Sequence, residues 1–190
     1  MDIRELNRRA LDETNKIISG VTPQDLKRPT PCPDWTLHGL LRHMVGANHG
    51  FAAAADGAAP DPSVWTGATL GDDPAGAYLD SAALVREAFG QEGMLDRRVE
   101  VPEFGVLPAS IVISMHVIDL VAHGWDVARS LGAHYEPDPE LTEAALTMVL
   151  RMPLERGPSH AFDTLVEVPG DASAFERLLG HLGRDPEWAP

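Results

Sequence analysis

Two side chains that can bind a metal ion lie four residues apart in an apolar segment: Asp119 and His123. His116 precedes Asp119 by three residues, so all three share one face if the segment is a helix. A carboxylate and two imidazoles are costly to bury in apolar surroundings unless something compensates them. A divalent cation would do so, because it bonds to carboxylate oxygen and neutral imidazole nitrogen and supplies the opposite charge. A simple ion pair between Asp119 and His123 is the alternative.

A third ligand would have to come from another helix, and an earlier segment offers His38, His43 and His49. His43 lies in the middle of the apolar run 40–45, whereas His38 and His49 lie near the ends of that segment, where a solvated role is expected. His43 is therefore the candidate third ligand. A packed, hydrogen-bonded core histidine is the alternative.

Hydrophobic periodicity and capping residues predict the elements that must position these groups. Helices are predicted over residues 3–19, 37–55, 75–89, 108–131 and 139–152. Gly132 lies where a C-terminal cap belongs, and Asp34 or Thr36 could cap the second helix. Residues 56–76 are rich in Gly, Ala, Pro and Asp, which predicts a long loop with Trp65 as its one apolar anchor.

The remaining segments contain few residues with the pattern of a β-strand. Residues 98–106 alternate like a short strand or hairpin, and the tail suggests a strand over 164–168 and a helix over 172–182. Because strands do not alternate with helices, an α/β fold is excluded and a mostly all-α bundle is predicted. Residues 1–155 are expected to form the bundle, and residues 156–190 a C-terminal extension packed on the same domain.

The composition limits the classes of binding partner that the protein can have. Fifteen Lys and Arg against 29 Asp and Glu give a net charge of −14, which disfavours nucleic acid and membrane surfaces as partners. The single cysteine, Cys32, excludes an internal disulfide framework and a multi-cysteine zinc site. No Lys or Arg adjoins Cys32 in sequence to stabilise a thiolate, so a packing role is favoured. We expect a cytoplasmic protein, since no signal peptide or membrane-spanning run is evident.

Two motifs and the tail resemble a known family. Thr30-Pro31-Cys32-Pro33-Asp34-Trp35-Thr36 precedes His43 by seven residues, and Asp119-x-x-x-His123 continues as Gly124-Trp125-Asp126-Val127-Ala128-Arg129. Together with Gly183-Arg184-Asp185-Pro186-Glu187-Trp188, these resemble the DinB/YfiT-like helical-bundle superfamily. Within it they are most similar to the actinobacterial branch related to the metal-binding domain of mycothiol-dependent maleylpyruvate isomerase.

The resemblance implies a four-helix up-down bundle that binds one divalent metal ion through His43, Asp119 and His123. Zinc is the first choice, with nickel or another first-row metal as alternatives. The isomerase pattern has Glu at the position of Asp119, so the shorter side chain leaves the preferred metal open. His116 matches no ligand position and is expected to lie behind the ligands or in the core. Asn48 and Arg129 are candidate substrate or outer contacts, with structural roles as the alternative.

Three protein ligands leave coordination positions open, which is typical of a reactive rather than a structural zinc site. The resemblance implies an enzyme that moves or adds a thiol of the mycothiol type to a small electrophile, through a metal-bound thiolate or water. Its partners would be a small-molecule thiol and an electrophile, and the protein would be a monomer or homodimer. A non-enzymatic metal-binding or regulatory interaction module is the alternative. The third possibility is a bundle whose His and Asp side chains only pair with one another.

Overall fold

Four long helices surround the core: α1 (Ile3–Ile18), α2 (Leu37–Ala55), α4 (Pro74–Gly90) and α5 (Ala109–Leu131). The computed structural model describes residues 2–57, 61–102, 104–152, 156–157 and 163–190. Both α1 and α2 pack against α4 and α5, so the apolar faces of all four helices meet in one core. The prediction of a mostly helical bundle is confirmed.

Smaller elements lie between and after these helices: α3 (Pro62–Thr66), β1 (Arg98–Val101), β2 (Gly105–Pro108), α6 (Pro139–Val149) and α7 (Ala174–His181). β1 and β2 pair antiparallel, with Val99 opposite Leu107, which confirms the predicted hairpin. In the described part of the tail no strand forms over 164–168. The backbone N–H of Val166 instead donates to the carbonyl of Gly180 on α7, which packs against α6. The predicted domain boundary at residue 155 lies outside the described residues.

Capping residues explain where several of the helices begin or end. Asp2, Asp73 and Asp138 each accept a backbone N–H in the first turn of the helix that follows. Gly132 takes the left-handed conformation (φ 69°) that closes α5, as predicted. The second helix begins differently, because the side chain of Thr36 makes no capping hydrogen bond. There the N–H of Leu37 donates to the carbonyl of Arg28 instead.

The long segment between α2 and α4 is anchored by Trp65, as predicted, but within a one-turn helix, α3. Trp65 packs against α2 at two glycines, where the absence of a side chain leaves space for it. A Cβ at Gly50 would come within 2.1 Å of the indole ring, and one at Gly46 within 2.1 Å of the Trp65 carbonyl oxygen. Gly50 therefore leaves space for the indole ring, and Gly46 leaves space for the backbone of Trp65.

Replacing Gly50 with Ala should destabilise the protein. Overpacking costs about 1–3 kcal/mol, and the better helix propensity of Ala returns up to about 1 kcal/mol. Because the new Cβ would lie only 2.1 Å from the ring, the overpacking cost should fall at the upper end of that range. We therefore expect a net loss of about 1–2 kcal/mol in the free energy of unfolding, measured by urea denaturation. Gly90→Ala is the control, since a Cβ there meets nothing within 4 Å and should leave stability unchanged or slightly higher. Equal stability of the two variants would contradict this packing argument.

α5 is long and apolar enough, by length and composition, to cross a membrane. However, 78% of the relevant window is buried inside the protein. This burial is consistent with the core helix of a soluble protein.

Candidate metal centre

Three side chains from two helices converge at one site. His43 projects from α2, and Asp119 and His123 from α5. Asp119 Oδ1 lies 3.4 Å from His43 Nε2 and 3.4 Å from His123 Nε2. One ligand atom from each residue lies within 4.8 Å of the other two. The bundle thus brings together the three ligands predicted from the sequence, although His43 and Asp119 are 76 residues apart.

The donor set suits a first-row divalent ion. Two ligand atoms bound at about 2.1 Å to one tetrahedral ion are about 3.4 Å apart, the separation found here from Asp119 Oδ1 to each imidazole. Two imidazoles and one carboxylate are common ligands of zinc and its neighbours. The residues present therefore fit such an ion.

The centre is buried on the α5 side and open on the α2 side. The side chain of His123 is 9% exposed and that of Asp119 23%, whereas His43 is 36% exposed. A small molecule could therefore approach from the side of His43. Burial by itself raises the pKa of Asp119, but the charges of His123 and His43 and the hydrogen bond with His43 outweigh it and hold that pKa below its ordinary value.

The ring of Trp35 lies beside the open side of the candidate metal centre. Its ring centroid lies 4.8 Å from that of His43, with the planes tilted by 32°, and 6.2 Å from that of His123. The Thr30 hydroxyl is 2.8 Å from the Trp35 carbonyl oxygen, to which it can donate, and this fixes the segment before α2. Trp35 is half-buried against the core and also contacts a candidate ligand, a second role that sequence periodicity did not indicate.

Asp126 supports His123 from behind. Its Oδ2 lies 2.8 Å from His123 Nδ1, while the Nε2 of the same ring faces Asp119. This is the carboxylate–histidine arrangement that fixes the tautomer and orientation of metal-binding histidines. Arg184, from the tail after α7, donates to both oxygens of Asp126, at 3.0 and 3.4 Å. Burial raises the pKa of Asp126, but the Arg184 charge and the His123 hydrogen bond outweigh it and lower the pKa to about 2.

Neither Asp126 nor Arg184 was predicted as a site residue. The spacing of three residues between His123 and Asp126 was a usable signal, because i and i+3 side chains are neighbours on a helix. Arg184 gave no such signal, since it lies 58 residues further along the chain.

Replacing Asp126 with Asn should weaken metal binding about 10–100-fold, the usual cost of losing an outer carboxylate. The amide keeps the shape but removes the charge that polarises His123 and balances the largely buried Arg184, whose side chain is 11% exposed. Affinity would be measured by competition with a chromophoric chelator. Asp72→Asn, at an exposed turn, removes the same charge and should leave affinity unchanged. Equal affinities for both variants would show that Asp126 does not act on the centre.

Cys32 lies beside this pair. Its Sγ is 3.4 Å from Asp126 Oδ2 and 3.7 Å from Arg184 Nη2, so a cation does adjoin the thiol, contrary to what the flanking sequence suggested. Burial and the negative charge of Asp126 nevertheless raise the pKa of Cys32 to about 12. Cys32, His123 and Asp126 could form a second ligand set. It is the poorer of the two ligand sets, because the thiol is protonated and the carboxylate of Asp126 already accepts hydrogen bonds from Arg184.

The remaining candidates have structural contacts. His116 is wholly buried and lies 2.9 Å from both Asn7 Nδ2 and Asn48 Oδ1, so its two nitrogens are used within the core. Asn48 also donates to Ser81 on α4. Arg129 donates to the Pro186 carbonyl, with its guanidinium 5.6 Å from the Trp125 ring centroid. These contacts correspond to the structural alternatives for Asn48 and Arg129 and to a core position for His116.

The sequence is similar to known proteins over most of its length. A family model described as the mycothiol maleylpyruvate isomerase N-terminal domain matches residues 7–128. Two proteins from two strains of Mycobacterium tuberculosis, both described as uncharacterized, are each 28% identical over 186 residues, covering 97% of this chain and 98% of theirs.

Two crystal structures share the fold. They are those of the mycothiol-dependent maleylpyruvate isomerase (TM-score 0.59, 16% identity) and of a mutant of it (TM-score 0.61, 14% identity). Each match covers 77% of this chain and 66% of the isomerase chain, so the chain spans less than two thirds of the isomerase's length. At this level of identity the likeness shows the fold alone.

Proposed function

The chain belongs to the family of the mycothiol maleylpyruvate isomerase N-terminal domain, and we propose that it is a metal-dependent enzyme that transfers a small thiol to, or isomerises, a small electrophile. The observation that carries the proposal is the convergence of His43, Asp119 and His123 within 4.8 Å, with one side open. An ion held there supplies Lewis acidity and lowers the pKa of a thiol or water that binds to it. Zinc, nickel or another first-row ion suits the ligands.

The residues of the chain would hold and orient the reactants. His43, Asp119 and His123 act as ligands rather than as acids or bases. Asp126 and Arg184 fix the orientation of the His123 ring. Trp35 offers an aromatic face beside His43, against which an apolar part of a thiol or electrophile could pack.

The nucleophile would come from outside the chain. Cys32 is the one cysteine in the sequence, and its thiol is protonated at neutral pH because its pKa is about 12. We therefore expect the reacting thiol to be an external one. Mycothiol is the first candidate, since both the family and its solved members are named for it.

The test is thiol-dependent turnover by the metal-loaded protein. Small electrophiles, maleylpyruvate among them, would be incubated with mycothiol, bacillithiol or glutathione, and electrophile loss followed with time. We expect loss that requires both metal and one of these thiols, and that falls to background in His43→Ala. His49→Ala, which alters a histidine of the same helix outside the cluster, should retain the activity. No thiol-dependent loss with any combination would argue against the enzyme.

A non-enzymatic metal-binding or regulatory module is the second candidate. The observation that favours it is the extent of the structural match, because about a third of the isomerase chain has no counterpart in this match. A stable partner complex in a pull-down, together with inactivity of the metal-loaded protein, would favour this function.

A further inference from the structure

A second group of ligand atoms lies behind the candidate metal centre and is formed by Cys32, His123 and Asp126. One ligand atom of each residue lies within 4.8 Å of those of the other two. Nδ1 is the nitrogen of His123 on this side, since it lies 2.8 Å from Asp126 Oδ2. The thiol of Cys32 donates to the same oxygen at 3.4 Å. Cys32 is only partly buried, so its thiol is not sealed inside the core.

The charges around this group decide which ion it suits. Asp126 accepts hydrogen bonds from Arg184 at both oxygens, so the carboxylate charge is already balanced. If the thiol of Cys32 lost its proton, one further negative charge would appear. A monovalent cation would cancel that charge, whereas a divalent cation would leave an excess, and an uncompensated buried charge is costly. The group therefore favours a monovalent ion.

The donor atoms favour a soft ion of that charge. Thiolate ligands select Cu⁺, and imidazole also binds copper. With bonds as long as those of zinc sites, about 2.0–2.3 Å, one ion spans about 4.3 Å between a nitrogen and a sulfur. Because the ligand atoms lie within 4.8 Å of one another, a small shift of the Cys32 side chain is enough for one ion to bond to both.

We propose that Cys32 Sγ and His123 Nδ1 form a binding site for a monovalent soft metal ion such as Cu⁺, and that this ion and a divalent ion at the candidate metal centre exclude each other. The soft ion takes the place of the thiol proton, which is released to solvent. It also takes the place of the Nδ1 proton, so a neutral imidazole carries its one proton on Nε2, facing Asp119 Oδ1 at 3.4 Å.

The exclusion follows from the two nitrogens of one ring. A divalent ion at the centre needs Nε2 of His123 as a free ligand, with the proton on Nδ1 and donated to Asp126. The soft ion needs the opposite tautomer, and one neutral imidazole has a single tautomer at a time. The soft-ion site itself does not depend on the proposed function, and only the exclusion involves the divalent ion.

The first test titrates Ag⁺ into the metal-free protein in chloride-free buffer, followed by calorimetry. Ag⁺ is the probe because it shares the charge and softness of Cu⁺ and keeps its oxidation state. We expect one tight site per chain, lost in Cys32→Ser, whose hydroxyl can still donate to Asp126. His123→Gln should bind Ag⁺ more weakly although it keeps the thiol, and the control His49→Gln should bind normally. Unchanged affinity in Cys32→Ser or in His123→Gln would overturn the proposal.

The second test follows the His123 ring by NMR of the ¹⁵N-labelled protein without divalent metal. Ag⁺ should move the ring proton from Nδ1 to Nε2, a change that a purely structural role of Cys32 would not produce. If the proton stayed on Nδ1 in the Ag⁺ complex, the thiol alone would hold the ion and the proposal would be wrong.

The third test measures the exclusion in protein loaded with zinc. Each Ag⁺ that binds should release about one zinc ion to a chromophoric chelator, and Cys32→Ser should release none. Zinc retained together with bound Ag⁺ would overturn the exclusion. A protein that took up no zinc would remove both the exclusion and the proposed function, while the Ag⁺ site would still be decided by the first two tests.

Discussion

Asp119→Asn should lose at least about 100-fold in affinity for a divalent ion while keeping the fold, since loss of an outer partner alone costs up to that factor. The carboxylate provides the one negative charge among the three ligands, and its Oδ1 lies 3.4 Å from both imidazoles. An amide oxygen is a weaker, neutral ligand. In the metal-free protein, however, the amide can still exchange hydrogen bonds with His43 and His123, so thermal unfolding should change little.

Metal content after purification without an affinity tag, followed by chelator competition, measures this effect. Asp80→Asn, an exposed position on α4, is the matched control and should bind like the unaltered protein. The triple variant with Ala at positions 43, 119 and 123 sets the limit of no binding. If that triple variant retained the metal content of the unaltered protein, the site would have to lie elsewhere and the proposed function would fail with it.

The features of the protein that could be predicted from the sequence are mostly local ones. The bounds of α2 were predicted to the residue, because a proline-rich segment before it and a turn after it interrupt the periodicity. Helical spacing alone made Asp119 and His123 candidate ligands, with an ion pair as the alternative. That His43 faces them depends on how α2 and α5 pack across the core, which no local pattern contains. The resemblance to a family supplied that step.

The features that were predicted wrongly or not at all also depend on long-range packing. The alternating segment 164–168 has strand-like residues, but a strand forms only where a partner edge is available. Here the segment lies against α7, where Gly180 leaves room: a Cβ at that position would come within 2.6 Å of the Val166 carbonyl. Arg184 lies beyond the predicted tail helix, where the sequence shows no periodicity, yet it binds Asp126 behind His123. Long-range polar pairs of this kind depend on the assembled fold.

His116 should make the protein's stability strongly dependent on pH. Burial lowers its pKa from 6.5 to about 4, so in the folded state it remains neutral down to that pH. As pH falls from 6.5, the unfolded chain binds the proton first, and the folded state loses stability until about pH 4. The difference between the two pKa values corresponds to about 3 kcal/mol of unfolding free energy, present in full above pH 6.5 and lost by pH 4.

Urea denaturation of the metal-free protein between pH 7.5 and 4 measures this loss. His116→Gln removes the titrating group but keeps a donor and an acceptor for Asn7 and Asn48, so its stability should fall less steeply over that range, even if it starts lower. His134→Gln is the control, because that imidazole is 83% exposed and the variant should follow the unaltered protein. Parallel curves for the unaltered protein and His116→Gln would mean that His116 is not held neutral. The hydrogen bonds of its two nitrogens to Asn7 and Asn48 would then have to be assigned differently.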